Sequence, residues 1–397
     1  MLRNFSISFW MFGLSFAFNP LEGVATFDDG YTGTAVLPYL KLPIGARSLA
    51  MGGNNGAVEE QALQMFWNPA GIADVKGYWS SVHHAEYLGE FRHEYIATTI
   101  PLAKWGTLGF FGNAFISTPF DHARDIDEEN ILFSTLDLSM GFNYAREWIP
   151  HLFLAGFSVK YLKSDIEEVT ASGFALDLGM EFKLRHGIRL VTSAQNISNG
   201  FQYKGGTGIE EKLPALLRIS FGRPMDVLPY SWNLGWQKSN DGMHQSSFGY
   251  ERRFYDWLFL RGGYYWEWNN TENHWSRGLS MGVGFSVSSI TFDYGLQLQG
   301  DLGWHHALSL HLSDLRDRYS TEYSHIEHAQ DWFARGECDR AQTFARLALR
   351  ENPGDRMELF KIYKKELSEL GHKHYIISRT NRNVKSIVKR LSQKFFI

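Results

Sequence analysis

Residues 171–184 read ASGFALDLGMEFKL. Phe174, Leu176, Leu178, Met180 and Phe182 fall on one side of an extended chain, with Ala175, Asp177, Gly179, Glu181 and Lys183 on the other, because successive side chains of a strand point to opposite faces. The same two-residue period runs through 289–299, where Ile290, Phe292, Tyr294, Leu296 and Leu298 oppose Thr291, Asp293, Gly295, Gln297 and Gln299. In 257–268, Leu258, Leu260, Tyr264, Trp266 and Trp268 stand against Arg261, Gly263 and Glu267. Such segments approach the roughly 9–11 residues with which a strand crosses a bilayer at a tilt.

About fourteen runs of this kind follow one another: 77–88, 91–101, 105–117, 134–146, 151–164, 171–184, 187–197, 214–223, 229–239, 243–253, 257–268, 277–287, 289–299 and 303–313. Their connections alternate in character. Those after odd-numbered runs include TPFDHARDIDEEN (118–130), SNGFQYKGGTGIEEK (198–212) and NNTENHWS (269–276), whereas those after even-numbered runs are mostly short. Long outer loops and short periplasmic turns give this asymmetry in outer-membrane barrels, and an even strand count returns both ends to one side. No stretch approaches the ~18 consecutive apolar residues of a spanning helix. Periodicity alone does not say which face points outward: a sandwich buries its apolar face, a membrane barrel shows it to lipid. Size and strand ends favour the barrel. A closed sheet of this width has a lumen that its own side chains do not fill, and Tyr78, Trp79, Trp105, Trp148, Trp232, Trp257 and Trp304 stand where interfacial aromatic girdles are expected. The expected fold is an all-β transmembrane barrel of about 14 antiparallel strands.

The first 25 residues have the pattern of an export signal: Arg3, the apolar stretch 5–18, and Gly23-Val24-Ala25 as a cleavage site. A formal net charge of −4 gives no sign of nucleic-acid binding, and the single cysteine, Cys338, excludes an intrachain disulfide and lies far from the N-terminus. Residues 26–76 lack the strand period and are punctuated by Gly45, Gly52, Gly53, Gly56 and Gly71. Ala57 to Phe66 is read as a short helix, with Pro69 and Gly71 turning the chain into the first strand.

Within that segment, residues 39–72 run YLKLPIGARSLAMGGNNGAVEEQALQMFWNPAGI. The combination of Gly45-Ala46-Arg47, Met51-Gly52-Gly53 and Trp67-Asn68-Pro69-Ala70-Gly71 resembles the N-terminal signature of PorV/PorQ-type outer-membrane proteins, FadL-like β-barrels of which some serve type IX secretion. Ala194-Gln195-Asn196-Ile197, Phe259-Leu260-Arg261-Gly262-Gly263-Tyr264 and Asp301-Leu302-Gly303 extend the likeness over roughly residues 35–313. The resemblance implies that 26–76 folds into the barrel as a plug, with Gly45, Arg47, Met51, Gly52, Gly53, Trp67, Asn68, Pro69 and Gly71 as its motif residues. Arg47 is expected to pair with inward carboxylates such as Asp177, Glu181 or Asp293.

After residue 320 the period becomes helical. AQDWFARGECDRAQTFARLALRENPGD (329–355) is similar to one tetratricopeptide-type hairpin, with Ala345 where a larger aromatic is usual. One repeat is fewer than the ~3 of a stable array, so it needs a partner or the segment after it. The tail beyond Gly371 holds seven Lys/Arg and no Asp/Glu, and it reads as a solvated helix face or a contact for anionic lipid. The domain boundaries are therefore 1–25 (signal peptide), 26–76 (plug), 77–315 (barrel) and 322–397 (periplasmic helical module).

No P-loop, G-x-S-x-G or HExxH is present. His83-His84 and His305-His306 are adjacent strand residues facing opposite ways, hence poor co-ligands. Asp125, Asp127, Glu128 and Glu129 read as an acidic loop rather than a calcium site, and Cys338 as a small apolar residue. No enzyme and no cofactor are expected. The resemblance points first to a docking component of protein export at the bacterial outer membrane, with exported proteins or secretion components, lipid and a periplasmic partner of the helical module as contacts; Phe201 and Tyr203 are its candidate partner loop. The alternative is a FadL-like channel for a hydrophobic small molecule, with Leu49, Leu63, Met65 and Phe66 as candidate contacts beside Met51 and Trp67. A structural envelope barrel is the third reading.

Overall fold

The computed structural model describes residues 35–313, apart from 60, 76, 88–90, 123–130, 151, 167–168, 185–186, 199, 205–210, 226–227, 256 and 269–275. The export signal, the acidic loop residues 125–129, Cys338 and the helical module of 322–397 lie outside the described residues.

Fourteen antiparallel strands close into one barrel. They are β1 (Trp79–Tyr87), β2 (Phe91–Pro101), β3 (Thr107–Ile116), β4 (Thr135–Ile149), β5 (Phe153–Ile166), β6 (Val169–Lys183), β7 (Arg189–Ile197), β8 (Leu216–Arg223), β9 (Tyr230–Ser239), β10 (His244–Tyr255), β11 (Leu258–Glu267), β12 (Leu279–Val287), β13 (Ile290–Leu298) and β14 (Trp304–Ser313). Each pairs with its sequence neighbours, and β14 closes on β1 from Trp79↔Ser313 to Glu86↔His306. Closure leaves no free sheet edge, which is what a backbone in lipid requires. The short pieces Phe120–His122, Ile131–Phe133 and Gln202–Lys204 belong to the long connections after β3 and β7.

The alternation resolves into outside and inside. On β6, Phe174 is 67% exposed while Asp177 and Glu181 are buried; on β13, Ile290 and Phe292 are exposed while Asp293 is 1% exposed. Apolar side chains thus cover the outside and polar ones line the lumen, the arrangement of a barrel solvated by lipid. Exposed Trp105, Trp148 and Trp257 gather at the short-turn end, with Lys104 and Arg146 lying 5.5 and 5.4 Å from the centroids of Trp105 and Trp148. Trp79 departs from the expected girdle. It has the inward parity of β1 and packs with Ile72 and Met65, because the start of β1 is covered from within.

The cover is the segment 35–75. It forms only short turns: Pro38–Lys41, Ala46–Ala50, Gln64–Trp67 and Pro69–Asp74. The helix expected over 57–66 is reduced to its last residues. Gln61 takes φ +72°, outside the helical region, and the Val58 carbonyl is engaged by the Arg47 side chain at 2.6 Å. Secondary structure contributes little here, and the segment is held by the wall.

Inward glycines on eight strands make that seat: Gly109, Gly156, Gly179, Gly235, Gly249, Gly263, Gly282 and Gly295. A Cβ at any of them would strike residues 46–69; at Gly249 it would lie 2.6 Å from Met51 Cβ, and at Gly156 2.6 Å from the Pro69 carbonyl oxygen. Several face each other across strand pairs, as Gly249↔Gly263, Gly282↔Gly295 and Gly156↔Gly179 do. Gly52 returns the demand from the segment's side. At φ +84° its own Cβ would meet the carbonyl oxygens of Tyr264 and Phe248 at 2.8 and 2.9 Å, so only glycine fits there.

Gly263→Val should leave a folded barrel but unseat the segment, since overpacking a filled site costs about 1–3 kcal/mol. The expected result is unchanged heat-modifiable migration on gels together with higher conductance in planar bilayers. Wild-type conductance would show that the seat tolerates the added side chain.

Candidate functional site

One charged lattice ties the segment to β10, β11, β13 and β14. Arg47 donates from Nε to Glu251 Oε1 at 3.1 Å and from Nη2 to Glu251 Oε2 at 2.6 Å. It also lies 3.6 Å from Glu59, whose carboxylate accepts from the Ser48 hydroxyl. Arg261 donates to Glu251 at 2.6 Å and to Asp293 at 2.6 Å, and His311 stands 3.3 Å from the other Asp293 oxygen. The expected partners of Arg47 are therefore corrected. Asp177 and Glu181 lie with other cations, and Asp293 belongs to Arg261, because Ala46–Ala50 packs against β11–β14, with Arg47 reaching β10, rather than against β6. Forked guanidinium–carboxylate pairs fix orientation as well as distance.

The motif's far end is held by neutral bonds. Trp67 Nε1 donates to the Ile44 carbonyl at 3.0 Å, and Asn68 Oδ1 accepts from the Ala70 amide at 3.2 Å, opening the Pro69–Asp74 turn. Ser193 and Gln195 of β7 donate to the carbonyls of Trp67 and Phe66 at 3.0 and 2.6 Å. Asp74 then meets Lys183 at 2.6 Å and Arg189 at 3.1 Å near the short-turn end.

Apolar blocks interrupt the polar lumen. At the long-connection end, Leu37, Tyr39 and Leu40 pack with Leu162, Ala175, Phe201 and Leu213; Val36 N donates to the Lys212 carbonyl at 3.0 Å, and Lys41 pairs with Asp241. Burial pushes the Tyr39 hydroxyl well above its ordinary pKa, so this block stays neutral. Below it, Ile44, Leu63, Met65 and Ile72 pack with Tyr95, Ala97 and Ala145, flanked by Phe66 and Phe111.

Between the blocks lies a chamber of about 10 Å³, room for about one water. Leu40, Met65, Phe66, Tyr95 and Phe111 form its apolar side, and Asn113, Ser139, Lys160, Asp177, Gln195 and Asn196 its polar side. Tyr95 stacks on Phe111 at 5.8 Å between ring centroids. On the lipid side of the same wall a groove of about 840 Å³ is lined by Ile96, Phe110, Gly112, Met140 and Phe174 among others. Phe111 borders both spaces, and its ring lies where Gly141 carries no side chain.

Of the residues singled out in the sequence, Met65 and Phe66 line this chamber, and Leu63 packs in the block below it. Leu49 does not, packing instead with Ala46, Ala85 and Ala307 on β1 and β14. Phe201 is 1% exposed and turned into the mouth block, so in this conformation it is not presented as a partner loop; Tyr203 packs at its edge. His83 and His305 face inward and His84 and His306 outward, as strand parity requires. Among the described residues no group of three or more His, Cys, Asp or Glu is arranged to hold a metal. Tyr95, Phe111, Lys160, Arg218 and Glu251 were missed by motif reading. Their signal was charge or aromaticity at inward parity, which becomes meaningful only once strand neighbours are known.

The fold and its lipid-facing belt define a membrane-spanning β-barrel whose lumen contains its own N-terminal segment. No known protein family profile matches the chain, and no curated protein does. Among solved structures it is similar to the CymD monoaromatic hydrocarbon channel (TM-score 0.50, 12% identity, 69% of this chain and 98% of that one). It also matches a TodX monoaromatic hydrocarbon channel mutant (0.47, 11%, 68% and 98%) and a Pseudomonas aeruginosa FadL homologue (0.45, 10%, 69% and 99%). At 12% identity the likeness to CymD speaks for the fold.

Arg47→Ala should loosen the segment. Removing one partner of a buried pair costs about 3–5 kcal/mol, softened here because Arg261 still neutralises Glu251. Raised bilayer conductance with an intact barrel is the expected outcome; wild-type conductance would mean that the lattice does not hold the segment.

Proposed function

We propose that this chain is an outer-membrane channel for small hydrophobic compounds, with residues 26–76 as its plug. The observation that carries the reading is the run of apolar contacts across a polar lumen: the mouth block, the chamber at Phe66, Tyr95 and Phe111, and the lipid-facing groove behind Phe111. A hydrophobic solute moving along it exchanges one apolar surface for another, whereas much of the remaining lumen is lined by charged and amide side chains. The chamber is closed, so passage requires the mouth block and the Phe111 ring to shift, and release is lateral, into the bilayer. CymD, which shares the fold, is a monoaromatic hydrocarbon channel, and compounds of that class are the ones proposed to follow this path.

In this reading the long connections face outward and the short turns face the periplasm, which the asymmetry of the connections supports. The export-docking reading keeps the 39–72 motif in its favour, but the aromatic residues assigned to it, Phe201 and Tyr203, serve the mouth block instead.

Uptake of labelled toluene by a barrel-deficient bacterial host should rise several-fold on expression of the full chain. Phe111→Trp should depress it toward the vector level by filling the space at Gly141, while leaving heat-modifiable folding unchanged. Uptake equal to the vector control for a correctly inserted protein would reject the channel.

A further inference from the structure

We propose that the chamber, once widened by the shift of the mouth block and the Phe111 ring that the channel reading requires, receives small aromatic carboxylates, whose anionic group meets Lys160 and Arg218 while the ring lies among Phe66, Tyr95 and Phe111. The proposal rests on the channel reading and narrows its substrate class. It starts from an imbalance of buried charge. Arg218 on β8 is 2% exposed, and among the described residues it pairs with no carboxylate. Its Nε donates to Gln237 Oε1 at 3.0 Å, and its Nη1 bonds Gln195 Oε1 and, at 3.4 Å, the Phe66 carbonyl. The guanidinium lies 4.9 Å from the ring centroids of both Phe66 and Trp67, and its Nη2 finds no hydrogen-bond partner.

Asp177 is the one carboxylate in the chamber's lining, and it is already taken. Its carboxylate accepts from Lys160 at 2.8 Å and from the Asn196 amide at 2.7 Å. Lys160 in the chamber's lining and Arg218 directly behind it, bonded to Gln195 and the Phe66 carbonyl, are thus two buried cations beside one carboxylate. A buried charge without a counter-charge is costly, and cation–π contacts and neutral hydrogen bonds offset only part of that cost. A second carboxylate would balance the cluster and supply an acceptor for the free guanidinium nitrogen.

The opposite side specifies what the anion carries. Phe66 and Tyr95 meet edge-on at 6.2 Å, and Tyr95 and Phe111 stack. The Tyr95 hydroxyl is buried without a partner, a further polar group facing the same region. An aromatic ring with one carboxylate satisfies both sides; a neutral hydrocarbon satisfies only one.

The test is equilibrium dialysis of the purified full-length barrel in detergent at neutral pH and fixed ionic strength, with benzoate, benzamide and toluene as labelled probes and chloride as competitor. Benzoate should bind about tenfold more tightly than benzamide or toluene, the ratio expected of one charge-assisted contact. Arg218→Gln and Lys160→Gln should each erode that ratio, and Arg218→Lys should retain most of it, in variants that keep heat-modifiable migration. The comparison of benzoate with benzamide needs no substitution and stands if the variants misfold. Equal binding of all three probes would overturn this inference and leave the hydrocarbon channel standing. Displacement of benzoate by an equal concentration of chloride would overturn it as well, assigning the charge to a free inorganic anion. No binding of any probe would overturn both this inference and the channel reading.

Discussion

A cylinder of fourteen strands encloses more space than its own side chains fill, and everything else in this structure follows from how that space is occupied. The chain fills it with its own N-terminal segment, packed so closely that eight wall positions have surrendered their side chains. Glycine abundance, unexpected in strands because it weakens them, becomes intelligible here as a surface shaped for a backbone. The segment needs no regular secondary structure because the wall supplies its partners.

Packing alone would leave the polar lumen unsatisfied, and charge completes the arrangement. The Arg47–Glu251–Arg261–Asp293 lattice neutralises groups that would be prohibitively costly if buried singly. Elsewhere the balance is incomplete. Around Lys160, Asp177 and Arg218 positive charge exceeds negative, and that place is also where the apolar blocks part. The coincidence of a charge surplus with a gap in the packing makes this the chemically most informative point of the lumen.

Much of the fold was legible in the sequence. Two-residue alternation is sustained in every strand because lipid and lumen impose opposite demands on each one, and the fourteen expected runs match β1–β14 within a few residues. The inward placement of Arg261, Asp177 and Asp293 followed from the same parity. What parity does not contain is seating. Which carboxylate Arg47 meets depends on where Ala46–Ala50 rests against the wall, a long-range outcome that no local pattern encodes. Phe201 looked like an exposed loop aromatic because loops lie on surfaces, whereas here its ring is buried in the mouth block. The chamber draws on β2, β3, β4, β5, β6 and β7 together with the segment, so no single stretch announces it.

The central claim is that the chamber beside Phe66, Tyr95 and Phe111 lies on the path of a hydrophobic solute. The most direct measurement is anomalous diffraction from crystals of the full barrel soaked with 4-bromotoluene. The account predicts a bromine peak among those three rings, with the mouth residues Leu37, Tyr39 and Leu40 displaced. Bromine confined to the detergent belt, with the chamber closed as it is here, would contradict it.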